Sequence, residues 1–194
     1  MADDEKIRIG RIGELSDENA LLRASLAETR ERLATLEDRA DEDSLTLLPN
    51  RRRFLRELER AIRQADRHAT PAALLAIGFD GLDAVNRDHG RFAGDAGLIH
   101  AGRVLSGLIR STDHLARTGG AEFGLILDHL DHNSAIETAD RLVRCVADTP
   151  LDLGGTLVPL HIVIGVATIL PGDRRDDVLH RAARNLALAR GGEC

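Results

Sequence analysis

The sequence predicts an α/β (α+β) domain, with a mixed sheet flanked by helices, preceded by an N-terminal coiled-coil helix. Strand-like apolar runs alternate with amphipathic stretches of helical period, which favours a sheet covered by helices. Two adjacent glycines, Gly119 and Gly120, suit the tight turn of a β-hairpin. A heptad pattern of apolar residues precedes residue 43. We therefore expect a coiled-coil dimerisation helix at residues 1–43 and a folded domain at residues 44–194.

The heptad pattern extends over residues 12–40, on a segment otherwise rich in Glu, Arg and Asp. Its two series repeat every seven residues: Ile12, Asn19, Leu26, Leu33 and Ala40, and, offset by three, Leu15, Leu22, Thr29 and Leu36. An Asn at a core position, such as Asn19, fixes the register of parallel dimers. The pattern predicts a parallel homodimer through residues 12–40. An amphipathic helix packed on its own domain is the alternative.

The folded domain is expected to begin after a break at residues 47–50, which contain a proline. Apolar residues at helical spacing predict helices at residues 51–67, 95–110, 134–147 and 176–190. Continuous apolar runs predict strands at residues 73–79 and 160–169, and the glycine pair lies within a hairpin at residues 115–127.

The net charge of −6 belongs to the N-terminal segment. Residues 1–43 carry 7 basic and 13 acidic residues, whereas residues 44–194 carry 19 of each. A neutral domain lacks the basic field that nucleic acid requires, so no nucleic-acid partner is expected.

An acidic start without a signal-like pattern predicts a cytoplasmic protein with no membrane partner. The longest apolar run, at residues 72–79, is far shorter than the about 20 residues that span a bilayer. Only His129 and His132 approach the spacing of metal ligands, and without a partner acid or thiolate pattern no zinc site is expected.

Four stretches of the chain carry a resemblance to a known family. They are DSLTLLPNR at residues 43–51, Phe79-Asp80-x-Leu82-x-x-Val85-Asn86 with Gly90-x-x-x-Gly94-Asp95, Arg117-x-Gly119-Gly120-Ala121-Glu122-Phe123, and the closing helix at residues 182–191. In this order they resemble the GGDEF family, the diguanylate cyclase domain, over residues 43–191. The resemblance implies an adenylyl-cyclase-like sheet, domains paired by a coiled coil, and condensation of two GTP into cyclic di-GMP.

The resemblance places the family's two metal-binding acids at Gly78 and Ala121, where no side chain offers an oxygen. Phosphoryl transfer among triphosphates needs Mg²⁺, which prefers carboxylate oxygens. Asp80 is displaced along its strand by about 6–7 Å, and Glu122 faces the side opposite to Ala121. The sequence therefore predicts no catalytic residues, no bound metal and no resident cofactor. An active cyclase that holds Mg²⁺ in a rearranged site is an alternative.

The resemblance also implies a ligand site, because Arg110-x-x-Asp113 stands at the place of the family's inhibitory R-x-x-D and Arg141 at that of a second arginine. An arginine fork can bind O6 and N7 of guanine, and a carboxylate can accept from its N1–H and N2–H groups. These three residues are therefore candidate ligands for cyclic di-GMP. Ordinary roles at a helix end and in a turn are the alternative for Arg110 and Asp113.

Three further residues are candidate nucleotide contacts by resemblance. Asn86 and Asp95 stand where the family recognises the guanine of GTP, and Arg190 replaces a lysine, which makes it a candidate phosphate ligand. Helix-capping roles are the alternative for Asn86 and Asp95. The sequence favours an inactive, dimeric cyclic di-GMP receptor or signalling scaffold with an unidentified protein partner. The other hypotheses are an active diguanylate cyclase and a nucleotide-independent interaction module.

Overall fold

The computed structural model describes residues 41–191 and five residues before them, Leu22, Arg23, Ser25, Leu26 and Thr29. The chain divides into two compact units, Met1–Ala40 and Asp41–Cys194. The five described residues of the first unit are helical, and the side chains of Leu22 and Leu26 are exposed. The rest of the predicted heptad pattern lies outside the described residues, and the predicted dimer remains a prediction.

Residues 41–191 form five helices and six strands. The helices are α1 (Arg51–His68), α2 (Leu82–His89), α3 (Arg91–Leu108), α4 (His132–Ala147) and α5 (Arg175–Gly191). The strands are β1 (Ala72–Asp80), β2 (His114–Gly119), β3 (Glu122–Asp128), β4 (Leu151–Asp152), β5 (Leu157–Val158) and β6 (His161–Ile169). Helix α2 and the short β4–β5 pair were not predicted, and α3 begins before the predicted residue 95. None of the described helices combines the length and apolar character needed to cross a bilayer.

The main sheet has the strand order β2-β3-β1-β6, and each neighbouring pair is antiparallel. The predicted α/β class is confirmed, but the sheet is antiparallel rather than mixed. Strands β1 and β2, joined through α2 and α3, run in the same direction. The second strand of the hairpin, β3, inserts between them, so parallel strands are never neighbours. Element order along the chain does not specify this insertion.

Strand β1 is buried on both faces of the sheet. Alternate residues such as Leu75 and Ile77 pack in one core cluster with α3 and α4. The residues between them, such as Leu74, pack in a second cluster with α1 and α5. A strand covered on both faces has a continuous apolar sequence rather than an alternating one, which explains the apolar run in this segment.

A buried acid stabilises the start of the domain. The side chain of Asn50 caps α1 by accepting from the backbone N–H groups of Arg52 and Arg53, at 3.0 and 3.2 Å. Beside it, Asp41 is only 3% exposed and pairs with Arg52 and Arg56. The hydrogen bond from Arg56 lowers the pKa of Asp41 to about 2, although burial acts in the opposite direction.

Helix α5 lies unusually close to β6 because Gly165 has no side chain. A Cβ atom at Gly165 would lie 2.1 Å from the backbone nitrogen of Leu186 and 2.4 Å from the carbonyl oxygen of Ala182. Both atoms belong to the helix backbone, which cannot move without moving the helix. Gly165 therefore sets the distance between α5 and the sheet.

Candidate functional site

The hairpin turn between β2 and β3 is joined to the first residues of the domain by Arg117. Its guanidinium donates to the carbonyl oxygen of Gly120, at 3.0 and 2.7 Å, and to both carboxylate oxygens of Asp43, at 2.9 and 3.1 Å. Burial raises the pKa of Asp43, but hydrogen bonds from Thr46 and Arg117 outweigh it and lower this pKa. Asp43 and Arg117 each begin one of the stretches that resemble the family, but the sequence did not predict that they form an ion pair.

The hairpin pairs with the end of β1. The register of this pairing determines which hairpin residues lie on each face of the sheet. Gly78 is directly opposite Glu122, and the backbone N–H of Phe79 donates to the carbonyl oxygen of Ala121 at 3.3 Å. Directly opposed residues of antiparallel strands share a face. Glu122 is therefore on the face of Gly78, whereas the side chain of Ala121 packs against the core cluster that contains Phe79.

The space above Gly78 is filled by a side chain from the other end of the domain. A Cβ atom at Gly78 would lie 1.9 Å from Nη2, 2.7 Å from Cζ and 3.1 Å from Nε of Arg190. The guanidinium of Arg190 thus rests on the backbone of β1 at the position that resemblance assigned to a metal ligand. Sequence reasoning named both residues but did not bring them together.

The residues at this place do not fit a Mg²⁺ ion. Neither Gly78 nor Ala121 has a side-chain oxygen, and a guanidinium occupies the volume above Gly78. Among the described residues, no three His, Cys, Asp or Glu side chains cluster as metal ligands would. Mg²⁺ requires several oxygen ligands in near-octahedral geometry. The residues around Gly78 therefore do not support a reaction step through a metal ion.

The two candidate guanine ligands lie at the junction of α2 and α3. Asn86 is in α2, and its side-chain oxygen would be 2.0 Å from a Cβ atom at Gly94, so the amide packs directly on that glycine. Asp95 follows Gly94 and is exposed. It lies more than one turn into α3, so the alternative role at a helix N-terminus does not apply. The structure thus brings Asn86 close to the residue that precedes Asp95.

The structure brings Arg110, Asp113 and Arg141 to one end of α3. The carboxylate of Asp113 accepts from the backbone N–H of Arg110 at 2.9 Å and from that of Asp128 at 3.4 Å. Arg141, on α4, donates to the carbonyl oxygen of Leu108 at 3.4 Å. Both arginines are exposed. Within residues 41–191, neither guanidinium pairs with a carboxylate, so both are available to a ligand.

The chain matches a known family over most of its length. The description "Diguanylate cyclase, GGDEF domain" matches residues 40–192. Diguanylate cyclase TpbB of Pseudomonas aeruginosa is 35% identical over 164 residues, which cover 82% of this chain and 37% of TpbB. MucR of the same organism, a bifunctional diguanylate cyclase/cyclic di-GMP phosphodiesterase, is 35% identical over 159 residues, which cover 82% of this chain and 22% of MucR. The chain thus spans well under half the length of these relatives.

Solved structures share the fold. The coiled coil and GGDEF domain of DgcB from Caulobacter crescentus, in complex with c-di-GMP, superposes with a TM-score of 0.79 at 27% identity. That match covers 92% of this chain and 95% of DgcB's. The GGDEF domain of FimX from Pseudomonas aeruginosa gives a TM-score of 0.74 at 27% identity and covers 78% of this chain and 95% of FimX's.

Proposed function

Because the chain belongs to the GGDEF family of diguanylate cyclase domains, we propose that it is a catalytically inactive member that acts as a dimeric receptor for cyclic di-GMP. Such a receptor would act as a signalling scaffold in the bacterial cytoplasm. One observation carries the proposal: exposed Arg110 lies in the turn that Asp113 stabilises, and the guanidinium of exposed Arg141 donates to Leu108 at the start of that turn.

The chemistry of this turn suits a guanine nucleotide. The hydrogen bonds that Asp113 accepts from backbone N–H groups fix its position, and each carboxylate oxygen retains a further lone pair. A preorganised carboxylate can accept from the guanine base, while guanidinium groups bind its O6 and N7 edge or a phosphate.

The proposed lack of activity rests on the site around Gly78. A cyclase of this family would need a metal ion there, but Gly78 and Ala121 supply no side-chain oxygen and the guanidinium of Arg190 occupies the space above Gly78. No resident cofactor is therefore part of the proposal. Binding of cyclic di-GMP at Arg110, Asp113 and Arg141 does not need one, since guanidinium groups meet the negative charge of its phosphates.

Isothermal titration calorimetry with cyclic di-GMP in the presence of EDTA is expected to give saturable binding to the wild-type protein. Arg110→Ala should weaken that binding by roughly 5- to 150-fold, since a bidentate guanine contact contributes about 1–3 kcal/mol. Arg141→Ala should also weaken it. Both side chains are exposed, so the substitutions should leave the fold intact.

Two control variants separate this site from the rest of the domain. Arg144→Ala removes an exposed arginine from the same helix as Arg141, and Asn86→Ala removes the candidate GTP ligand. Neither should change the affinity for cyclic di-GMP. The absence of heat with the wild type would eliminate the receptor and leave only the scaffold. Binding lost only in Asn86→Ala would move the ligand to the other site.

Light scattering of the full chain at micromolar concentration is expected to give the mass of a dimer. The heptad pattern over residues 12–40 would bury a continuous apolar seam between two helices. A chain that lacks residues 1–40 should be monomeric and still folded, because the core clusters lie within the second unit. A monomeric full chain would contradict the coiled-coil dimer.

A further inference from the structure

Two acids lie on the same face of the sheet as the guanidinium of Arg190. Glu122 is directly opposite Gly78 on the neighbouring strand, and Asp80 lies two residues beyond Gly78 on the same strand. Both therefore share the face of Gly78. Both are exposed, and within residues 41–191 the Arg190 guanidinium makes no hydrogen bond or ion pair. Among the described residues, it is therefore an unpaired positive charge on the face that carries these two carboxylates.

We infer that Arg190 is the resident cation at this end of β1 and that it excludes a divalent metal ion from the site. The guanidinium fills the volume directly above Gly78, so an ion bound there would have to displace it. Its charge also repels a second cation at short range. The guanidinium also adds a positive charge to the face that carries Asp80 and Glu122, which weakens the attraction of that face for a metal ion.

Gly78 and Arg190 thus act as a pair. The three nearest atoms to a Cβ at Gly78 all belong to the flexible end of the Arg190 side chain, so a larger residue would displace only that end. A carboxylate introduced by Gly78→Asp would meet the guanidinium and form an ion pair with it. Restoring the acid alone should therefore not restore a metal site, whereas restoring it and removing the guanidinium should.

Mn²⁺ titrations followed by electron paramagnetic resonance test this inference, because Mn²⁺ accepts the carboxylate and water ligands that Mg²⁺ prefers. The wild type and Gly78→Asp are expected to leave Mn²⁺ free. The double variant Gly78→Asp/Arg190→Gln places three carboxylates on one face and should bind it at least about tenfold more tightly than Gly78→Asp. Arg184→Gln, an exposed arginine of the same helix, is the matched control in the Gly78→Asp background and should not promote binding.

Thermal melts provide a second measurement that does not depend on metal binding. Gly78→Asp should melt about 1–3 °C above the isosteric Gly78→Asn, since only the carboxylate pairs with Arg190. This difference should vanish in the Arg190→Gln background. Tight Mn²⁺ binding by the wild type, equal binding by Gly78→Asp with and without Arg190, or no binding by a folded double variant would each overturn the inference.

Discussion

Purified protein supplied with GTP and Mg²⁺ is expected to form no detectable cyclic di-GMP. The loss of one well-placed electrostatic group from an active site typically lowers the rate by about 10²–10³-fold. Here neither Gly78 nor Ala121 has a side-chain oxygen to bind a metal, and Arg190 occupies the space above Gly78. Because both side chains that would bind the metal are missing, the rate should fall by more than this roughly 10²–10³-fold effect of losing one group.

Chromatographic analysis of nucleotides after prolonged incubation at micromolar protein concentration would measure this. Full-length TpbB, a diguanylate cyclase that is 35% identical to this chain over 164 residues, is a suitable positive control for the assay. Turnover that disappears in Asp80→Ala would contradict the proposal and support an active enzyme with a rearranged metal site. Turnover that survives this substitution would also contradict it, and would place the chemistry elsewhere.

Gly165→Ala is expected to destabilise the folded domain strongly. The added methyl group would lie 2.1 Å from the backbone nitrogen of Leu186, far inside van der Waals contact. Overpacking a core usually lowers the free energy of unfolding by about 1–3 kcal/mol. Because this clash is with the backbone of a helix, we expect a loss of about 3 kcal/mol or more. The melting temperature should therefore fall by about 6–12 °C.

Gly107→Ala is the matched control for this effect. Gly107 lies in α3, and a Cβ atom there would have no neighbour within 4 Å. Alanine at such a position should leave stability unchanged or raise it by about 0.5–1 kcal/mol, because alanine favours helix over glycine. Equal melting temperatures for the two variants would show that α5 does not rest on Gly165 as the structure indicates.

The predicted elements with the strongest local patterns agree with the structure. The two apolar runs form β1 and β6, and the glycine pair lies at the turn of the β2–β3 hairpin. Helices α1, α4 and α5 begin and end within a few residues of their predicted bounds. Helix α2 was not predicted because it has only eight residues, and its apolar residues Leu82 and Val85 are too few to establish a helical period. The antiparallel pairing was not predicted, since strand direction depends on which strands become neighbours.

The candidate site was predicted unevenly. Sequence reasoning named Arg110, Asp113 and Arg141 from a resemblance, and the structure places all three at one end of α3. It did not predict that backbone N–H groups occupy one lone pair of each Asp113 oxygen, because those contacts depend on the path of the turn. It also treated Glu122 only relative to Ala121, whereas the strand register places Glu122 beside Gly78.

The sequence by itself determined the family of this protein, the order of most of its helices and strands, and the absence of side-chain oxygens at Gly78 and Ala121. These properties are local: they depend on residue identity, on spacing within a motif and on apolar period. Only the tertiary structure decided that Arg190 lies on Gly78. That contact joins the second half of the chain to the first strand, and it exists because Gly165 lets α5 approach the sheet. No local pattern encodes the distance between a helix and a strand, because packing of backbone against backbone sets it.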